Sequence, residues 1–205
     1  NDMLTLIHSP QSRSTTILSL IEEMGIRDRI DVRVVTIPRM DGSGARDPAN
    51  PHPEGKVPAL VHDGVVITER AAIILHLTAL FPDSGLAPRV GTPDWGAFAT
   101  WMAWYQGVLE PTFIMEAANF SHPWMVAAVR DHKTAVARLR AALDKGPWLM
   151  GETFSAADIL LHGPYVWFPD AAPDDPVIRD WIARCAARPA SVRLRAEDAR
   201  QMQAA

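Results

Sequence analysis

The chain has 205 residues, 48% of them hydrophobic and 21% charged, enough for one large domain or two small ones with a real core. Its formal net charge of -4 argues against nucleic acid as a partner, because phosphate binding needs a basic surface. One cysteine, Cys185, excludes an internal disulfide framework and a cysteine-rich zinc site.

Residues 4–8 are β-prone and predict a first strand. The turn Ser9-Pro10-Gln11-Ser12 follows, then an apolar series at Ile17, Leu18, Leu20, Ile21 and Met24 that fits one helical face, with Gly25 placed to end it. Residues 32–36 predict a second strand, parallel to the first in a β-α-β unit. The proline- and glycine-rich stretch 38–55 predicts a long irregular loop with at most one short helix, of the kind that is functional or mobile. Residues 57–62 and 65–67 predict a hairpin across Asp63-Gly64, and helical spacing returns over 69–80.

The punctuated stretch 81–93 marks a linker, and everything after it has helical character, near 93–118, 123–145, 155–167, 176–186 and 189–203. The expected organisation is an α/β domain over 1–82, a linker over 83–92 and an all-helical domain over 93–205. The aromatic series Trp95, Phe98, Trp101, Trp104 and Tyr105 has helical spacing and serves either as core or as the wall of a ligand cleft.

Four places carry candidate chemistry. Pro58, opening a strand, is either an edge-strand proline or part of a cis Val57-Pro58 bond that turns the backbone of Val57 outward for a ligand. Thr68 can cap the third helix with Glu69 in its first turn, either as a plain helix start or as a place where Glu69 takes an ammonium and free N–H groups take a carboxylate. Ser9, Ser12 and Ser14 crowd a helix N-terminus, where they cap it or join its N–H groups in stabilising an anion. Ser155 and Asp158 form a capping pattern before an apolar run, with a structural role. The seven histidines are scattered, with no His-x-x-x-His pair and carboxylate, so no metal is expected. No apolar run approaches the roughly 18 residues that span a bilayer. With no signal-peptide pattern at the start, a cytoplasmic protein without a membrane partner is expected.

In this order, a serine-bearing turn, Gly55-Lys56-Val57-Pro58-Ala59-Leu60, Thr68-Glu69-Arg70 and Phe154-Ser155-Ala156-Ala157-Asp158-Ile159 resemble the glutathione transferase superfamily over nearly the whole chain, and Asn50 to Leu60 looks especially like bacterial members. The resemblance implies an α/β thioredoxin-like domain that holds glutathione as co-substrate, plus an all-α helical bundle that supplies the pocket for a small hydrophobic electrophile. It implies a cis Val57-Pro58 bond, with the backbone of Val57 on the cysteinyl part of glutathione. Glu69 and the Arg70 N–H would hold the γ-glutamyl end, with Lys56 and His52 near the glycyl carboxylate. Many relatives carry Ser or Thr where this chain has Arg70, so only the N–H contact carries over. With no tyrosine near the first strand and Cys185 in the wrong half, the residue that supports the thiolate falls to serine: Ser9 first, at the head of a glutaredoxin-like turn, then Ser12 and Ser14, with Arg13 adding charge. The family implies a homodimer. Isomerase, dehalogenase or peroxidase chemistry and a non-catalytic binding module are the alternatives.

Overall fold

A computed structural model of the protein describes residues 3–204 and divides them between two compact units. The first unit holds the residues up to Ser84 and those from Pro189 onward. Strands β1 (Leu4–His8), β2 (Ile30–Val34), β3 (Ala59–His62) and β4 (Val65–Thr68) form one sheet in the order β2-β1-β3-β4. β1 and β2 are parallel, with Leu4 opposite Ile30; β3 runs antiparallel to both β1 and β4. This is the thioredoxin-like sheet, with helices α1 (Ser14–Glu23) and α2 (Arg70–Leu80) packed together. The core on this side is built from the buried stripe of α1, Ile17, Leu18, Leu20 and Ile21, together with the fully buried Leu6 and Leu60 of adjacent strands and Ile73, Ile74 and Leu77 of α2. Each such side chain contributes roughly 1.5–3 kcal/mol.

The second strand starts two residues earlier than its β-prone run. Register explains the shift: Ile30, 3% exposed, pairs with the equally buried Leu4, whereas the amide of Thr36 leaves the ladder for Asp47 Oδ2 at 3.2 Å. The third strand starts two residues late: Pro58 has no N–H to give the ladder, so pairing with β1 begins at Ala59, and the Val57-Pro58 bond before it is cis. The loop from Pro38 to Gly55 contains no helix and is tied by polar side chains. Asp47 accepts from the amides of Thr36 and Ala49, and Arg46 donates to the Pro53 carbonyl.

The last helix, α10 (Pro189–Ala204), lies in this first unit against α1, although its sequence reads as a continuation of the helical half. Leu194 and Ala190 are buried on its inner face, and Arg193 reaches Glu22 at 3.1 Å.

The second unit, Gly85–Arg188, is helical: α3 (Pro93–Trp104), α4 (Glu110–Ala117), α5 (Pro123–Val129), α6 (His132–Leu143), α7 (Ala156–Leu161), α8 (Gly163–Trp167) and α9 (Pro176–Ala186). Three of the long predicted helices are interrupted for local reasons. Pro111 has no N–H to continue α3, and the chain widens into a π turn over Tyr105–Leu109 before it. Arg130, at φ 66°, ends α5, and Asp131 restarts α6 by accepting the Thr134 amide at 2.7 Å. Pro164 separates α8 from α7. Phe98, Tyr105 and Trp104 are core, while the Arg138 guanidinium lies 5.1 Å from the Trp101 ring and 4.8 Å from that of Trp104.

Asp158 does more than cap α7. It completes the capping box with Ser155, and its Oδ1 also accepts the Leu149 amide at 3.0 Å and the Trp181 indole N–H at 2.8 Å. Burial pushes its carboxyl up, against the pull of these donors. No helix among the described residues is long and apolar enough to cross a membrane.

Candidate functional site

The candidate residues of the first unit gather at the C-terminal end of β1. Ile7, Val35, Val57 and Ala59 form one small core cluster, with Ile37 against it, so the Ser9 turn and the Val57-Pro58 bond share a single support. Among the described residues, the backbone N–H and C=O of Val57 take no hydrogen bond. An extended peptide-like ligand satisfies such an unmatched backbone pair by adding a strand.

The three serines occupy different positions. Ser14 is fully buried; its hydroxyl lies 2.8 Å from His8 Nδ1 and accepts the Ser9 amide at 3.0 Å. Ser12 donates to the Ser9 carbonyl at 2.6 Å and accepts the Ser14 amide at 3.1 Å, which makes it the turn's staple. Ser9 Oγ accepts from Arg39 Nη2 at 3.1 Å, and among the described residues its own hydrogen has no acceptor. Of the three hydroxyls, Ser9's is the one still able to donate to a ligand.

Arg39 was not singled out by the sequence pattern. It reaches over the turn from the 38–55 loop and also donates to the carbonyls of Pro10, at 2.7 Å, and Gln11, at 3.2 Å. Asp198 of α10 is the second such residue. It is 2% exposed, accepts the Gln11 amide and the Thr15 hydroxyl, and has His8 Nε2 at 3.3 Å, outside hydrogen-bond angles. Burial works to raise its carboxyl, but the contacts with His8, Thr15 and Gln11 outweigh it and hold Asp198 below the usual carboxylate range. One amide at the mouth of α1 therefore already serves an internal anion.

Thr68 does not cap α2. It is the last residue of β4, and Glu69 takes the cap position at φ 68° with no side chain capping the helix. Thr68 pairs with Ala59, so its backbone belongs to the ladder and not to the start of the helix. The left-handed backbone of Glu69 is costly for a residue with a Cβ, and such strain gathers at functional sites. Glu69 is exposed, and its charge is felt at both His52 and Lys56. The side chain of Arg70 turns inward, 6% exposed, with Nη1 3.5 Å from Thr16 Oγ1.

His52 is 3% exposed, and burial pushes its imidazole below the usual value. Its Nδ1 accepts the Glu54 amide at 3.1 Å, which puts the proton of the neutral ring on Nε2. Asn50 braces this corner by accepting the His52 amide at 2.9 Å and donating to the Lys56 carbonyl at 3.0 Å. Lys56 pairs with Glu54, and the charge of Arg13 also acts on it. Thus His52, Lys56, Glu69 and Arg13 share one electrostatic neighbourhood, while Ser9 and Arg39 form the turn beside Val57.

Residues 8–80 match the family model for the glutathione S-transferase N-terminal domain. A glutathione transferase from Methylococcus capsulatus superposes over 96% of this chain and 99% of its own with a TM-score of 0.77 at 28% identity. The chain is similar to glutathione transferases along nearly its whole length, and its first unit carries the match to their N-terminal domain. A sphingomonad glutathione S-transferase solved in complex with glutathione matches 95% of this chain and 98% of its own, with a TM-score of 0.75 and 26% identity. Among curated relatives, glutathione S-transferase 3 of Schizosaccharomyces pombe and GST-4.5 of Xanthomonas campestris are each 29% identical to it. The aligned regions take in 53% and 60% of this chain but only 43% and 64% of those two proteins. The disulfide-bond oxidoreductase YfcG of Escherichia coli is 27% identical over 92% of this chain and 93% of its own.

The two residues that sequence pattern missed lie far from the Ser9 turn along the chain. Arg39 sits in a loop without periodicity, and Asp198 in a helix whose polar residues look like a solvated face. Only the fold places either one against the Ser9 turn.

Proposed function

We propose that the protein is a glutathione transferase that activates glutathione as its thiolate for attack on small hydrophobic electrophiles. The observation that carries this is the unpaired backbone of Val57 beside a serine hydroxyl with an uncommitted hydrogen. The cysteinyl part of glutathione pairs with Val57, Glu69 takes the γ-glutamyl ammonium, the Arg70 N–H takes its carboxylate, and His52 and Lys56 face the glycyl carboxylate. The cysteinyl sulfur then lies at Ser9, with Ser12 and Ser14 shaping the turn behind it.

The thiol loses its proton to solvent, the Ser9 O–H donates to the resulting thiolate, and the sulfur attacks an electrophilic carbon. A carbon–sulfur bond forms as the leaving group departs with its electron pair. A free thiol has a pKa of about 8.5, so a fall of about 2 units makes it mostly ionised and requires about 2.7 kcal/mol. One charge-assisted hydrogen bond and a helix N-terminus supply that amount. Calorimetry with glutathione and conjugation assays on a panel beginning with chlorodinitrobenzene test the reading; absence of heat from glutathione refutes it.

The likeness to YfcG over nearly both full lengths favours one second reading, reduction of a disulfide by two glutathione molecules to give oxidised glutathione and two thiols. Cys185, 1% exposed within α9, is no candidate for that chemistry, so Ser9 would again support the thiolate. Turnover of hydroxyethyl disulfide in excess of aryl halide would select it. A homodimer is part of the proposal, and sedimentation tests it.

A further inference from the structure

We infer that Arg39 is the positioning residue that sets the thiolate pKa, acting through the Ser9 hydroxyl. The inference rests on the glutathione-binding reading above. A guanidinium stays charged at every working pH and offers donors in a fixed fork. Arg39 spends that fork on one turn: Ser9 Oγ at 3.1 Å, the Pro10 carbonyl at 2.7 Å and the Gln11 carbonyl at 3.2 Å. A hydroxyl that accepts from a cation is polarised and becomes a stronger donor. The same bond uses an Oγ lone pair and leaves the hydrogen of Ser9 to point elsewhere. Arg39 thereby orients the O–H and places a full positive charge one hydrogen bond behind it.

The loop holds Arg39 in place. Its amide donates to the Ser43 carbonyl at 2.9 Å, and its carbonyl accepts the Gly42 amide at 3.0 Å. Asp41 Oδ1 closes the turn by accepting the Ser43 amide, at 2.9 Å, and the Ser43 hydroxyl, at 2.6 Å. Gly44 is required there: it sits at φ +72°, and a Cβ would fall 2.1 Å from the Ile37 carbonyl oxygen. Ile37 and Val35 anchor the near end of the loop against Ile7 and Val57. The Arg39 turn and the proposed cysteinyl-binding edge are thus braced by the same apolar cluster.

The test reads the pKa of bound glutathione from thiolate absorbance against pH, with affinity from calorimetry. Variants are Arg39→Gln, which removes the charge, and Arg39→Lys, which keeps it, each alone and with Ser9→Ala. An opposite charge within about 4–6 Å lowers an acid's pKa by about 1–3 units, and the half-exposed position of Arg39 argues for the low end. Arg39→Gln is expected to raise the thiol pKa by about 1 unit while glutathione affinity changes less than about threefold. Arg39→Lys restores at least half of the shift, and in the Ser9→Ala background Arg39→Gln adds little, as coupling through one group requires. An unchanged thiol pKa in Arg39→Gln, equal effects of Gln and Lys, or full additivity with Ser9→Ala overturns the inference while leaving glutathione binding intact. Failure of the unmodified protein to bind glutathione removes the underlying reading and this inference with it.

Discussion

Asp198 accepts the backbone N–H of Gln11 at 2.7 Å across 187 residues of sequence, and so fastens the C-terminal helix to the turn that carries Ser9. The same carboxylate holds the Thr15 hydroxyl in the first turn of α1. Removing it leaves the buried Thr15 hydroxyl and the half-buried Gln11 amide without that acceptor. Asp198→Ala is therefore expected to cost about 2–4 kcal/mol in urea unfolding. It should also weaken glutathione binding, because the turn loses its tether. The pH dependence has a definite sign. The Asp198 carboxyl titrates lower in the folded protein than in the unfolded chain, so its contribution is fully present above about pH 4 and is lost as pH falls through the folded value. Asp198→Asn should flatten stability in that acidic window. Unchanged acid sensitivity in that variant would show that another carboxylate is responsible.

The three serines should separate in mutagenesis because their bonds do. Ser9→Ala removes the hydroxyl with a free hydrogen and is expected to lower kcat at pH 7 by up to about 25-fold, the ratio between a thiol that is mostly ionised and one with its ordinary pKa of about 8.5. Its glutathione affinity should stay within a few-fold of the original. Ser14→Ala instead strands the Ser9 amide and His8 Nδ1 in the interior and should cost about 2 kcal/mol of stability. If Ser14→Ala folds normally and loses turnover while Ser9→Ala is silent, the roles are reversed.

Glu69 offers a way to pull binding apart from strain. Its φ of 68° suits glycine, and such a backbone costs a residue with a Cβ about 1–3 kcal/mol. Glu69→Gly and Glu69→Ala should both weaken glutathione about 10- to 100-fold, the loss of one charge-assisted contact. Glu69→Gly should nevertheless be more stable than Glu69→Ala by about 1 kcal/mol. Glutathione titrations and thermal melts of the two variants decide this; equal melting temperatures would show that the backbone relaxes without help.

Much of the first unit was legible because period and turn chemistry agree there. Alternation marked β1, Asp63-Gly64 marked the hairpin, and the spacing from Ile17 to Met24 marked α1. The sequence pattern marked Val57-Pro58, Glu69 and the three serines separately; the resemblance to glutathione transferases joined them in one scheme and ranked the serines by position in a motif. Their hydrogen-bond partners could not be read that way, since Arg39 and Asp198 lie 30 and 189 residues from Ser9. In the helical half, apolar spacing runs straight through Pro111, Arg130 and Pro164, so periodicity merges helices that a missing N–H or a positive φ divides. α10 was assigned by its place in the chain, and nothing in a run of alternating polar and apolar residues says which partner its inner face will find.

Asp158 should prove far more costly to lose than a helix cap. A Ser155→Ala change removes one capping contact and is expected to cost about 1 kcal/mol. Asp158 accepts from Ser155 at the start of α7, from Leu149 in the preceding loop and from Trp181 in α9, so it joins three segments through one carboxylate. Asp158→Ala leaves those donors buried and unmatched, and about 3–5 kcal/mol is expected. Burial raises its carboxyl above the ordinary value, so protonation is easier in the folded chain than in the unfolded one. This residue then favours folding as pH falls through that raised value toward about 4, the opposite sense to Asp198. Urea unfolding of Ser155→Ala and Asp158→Ala at neutral pH gives the comparison. Equal losses would reduce Asp158 to an ordinary cap, and a loss at least twice as large for Asp158→Ala would establish it as the junction of the helical unit.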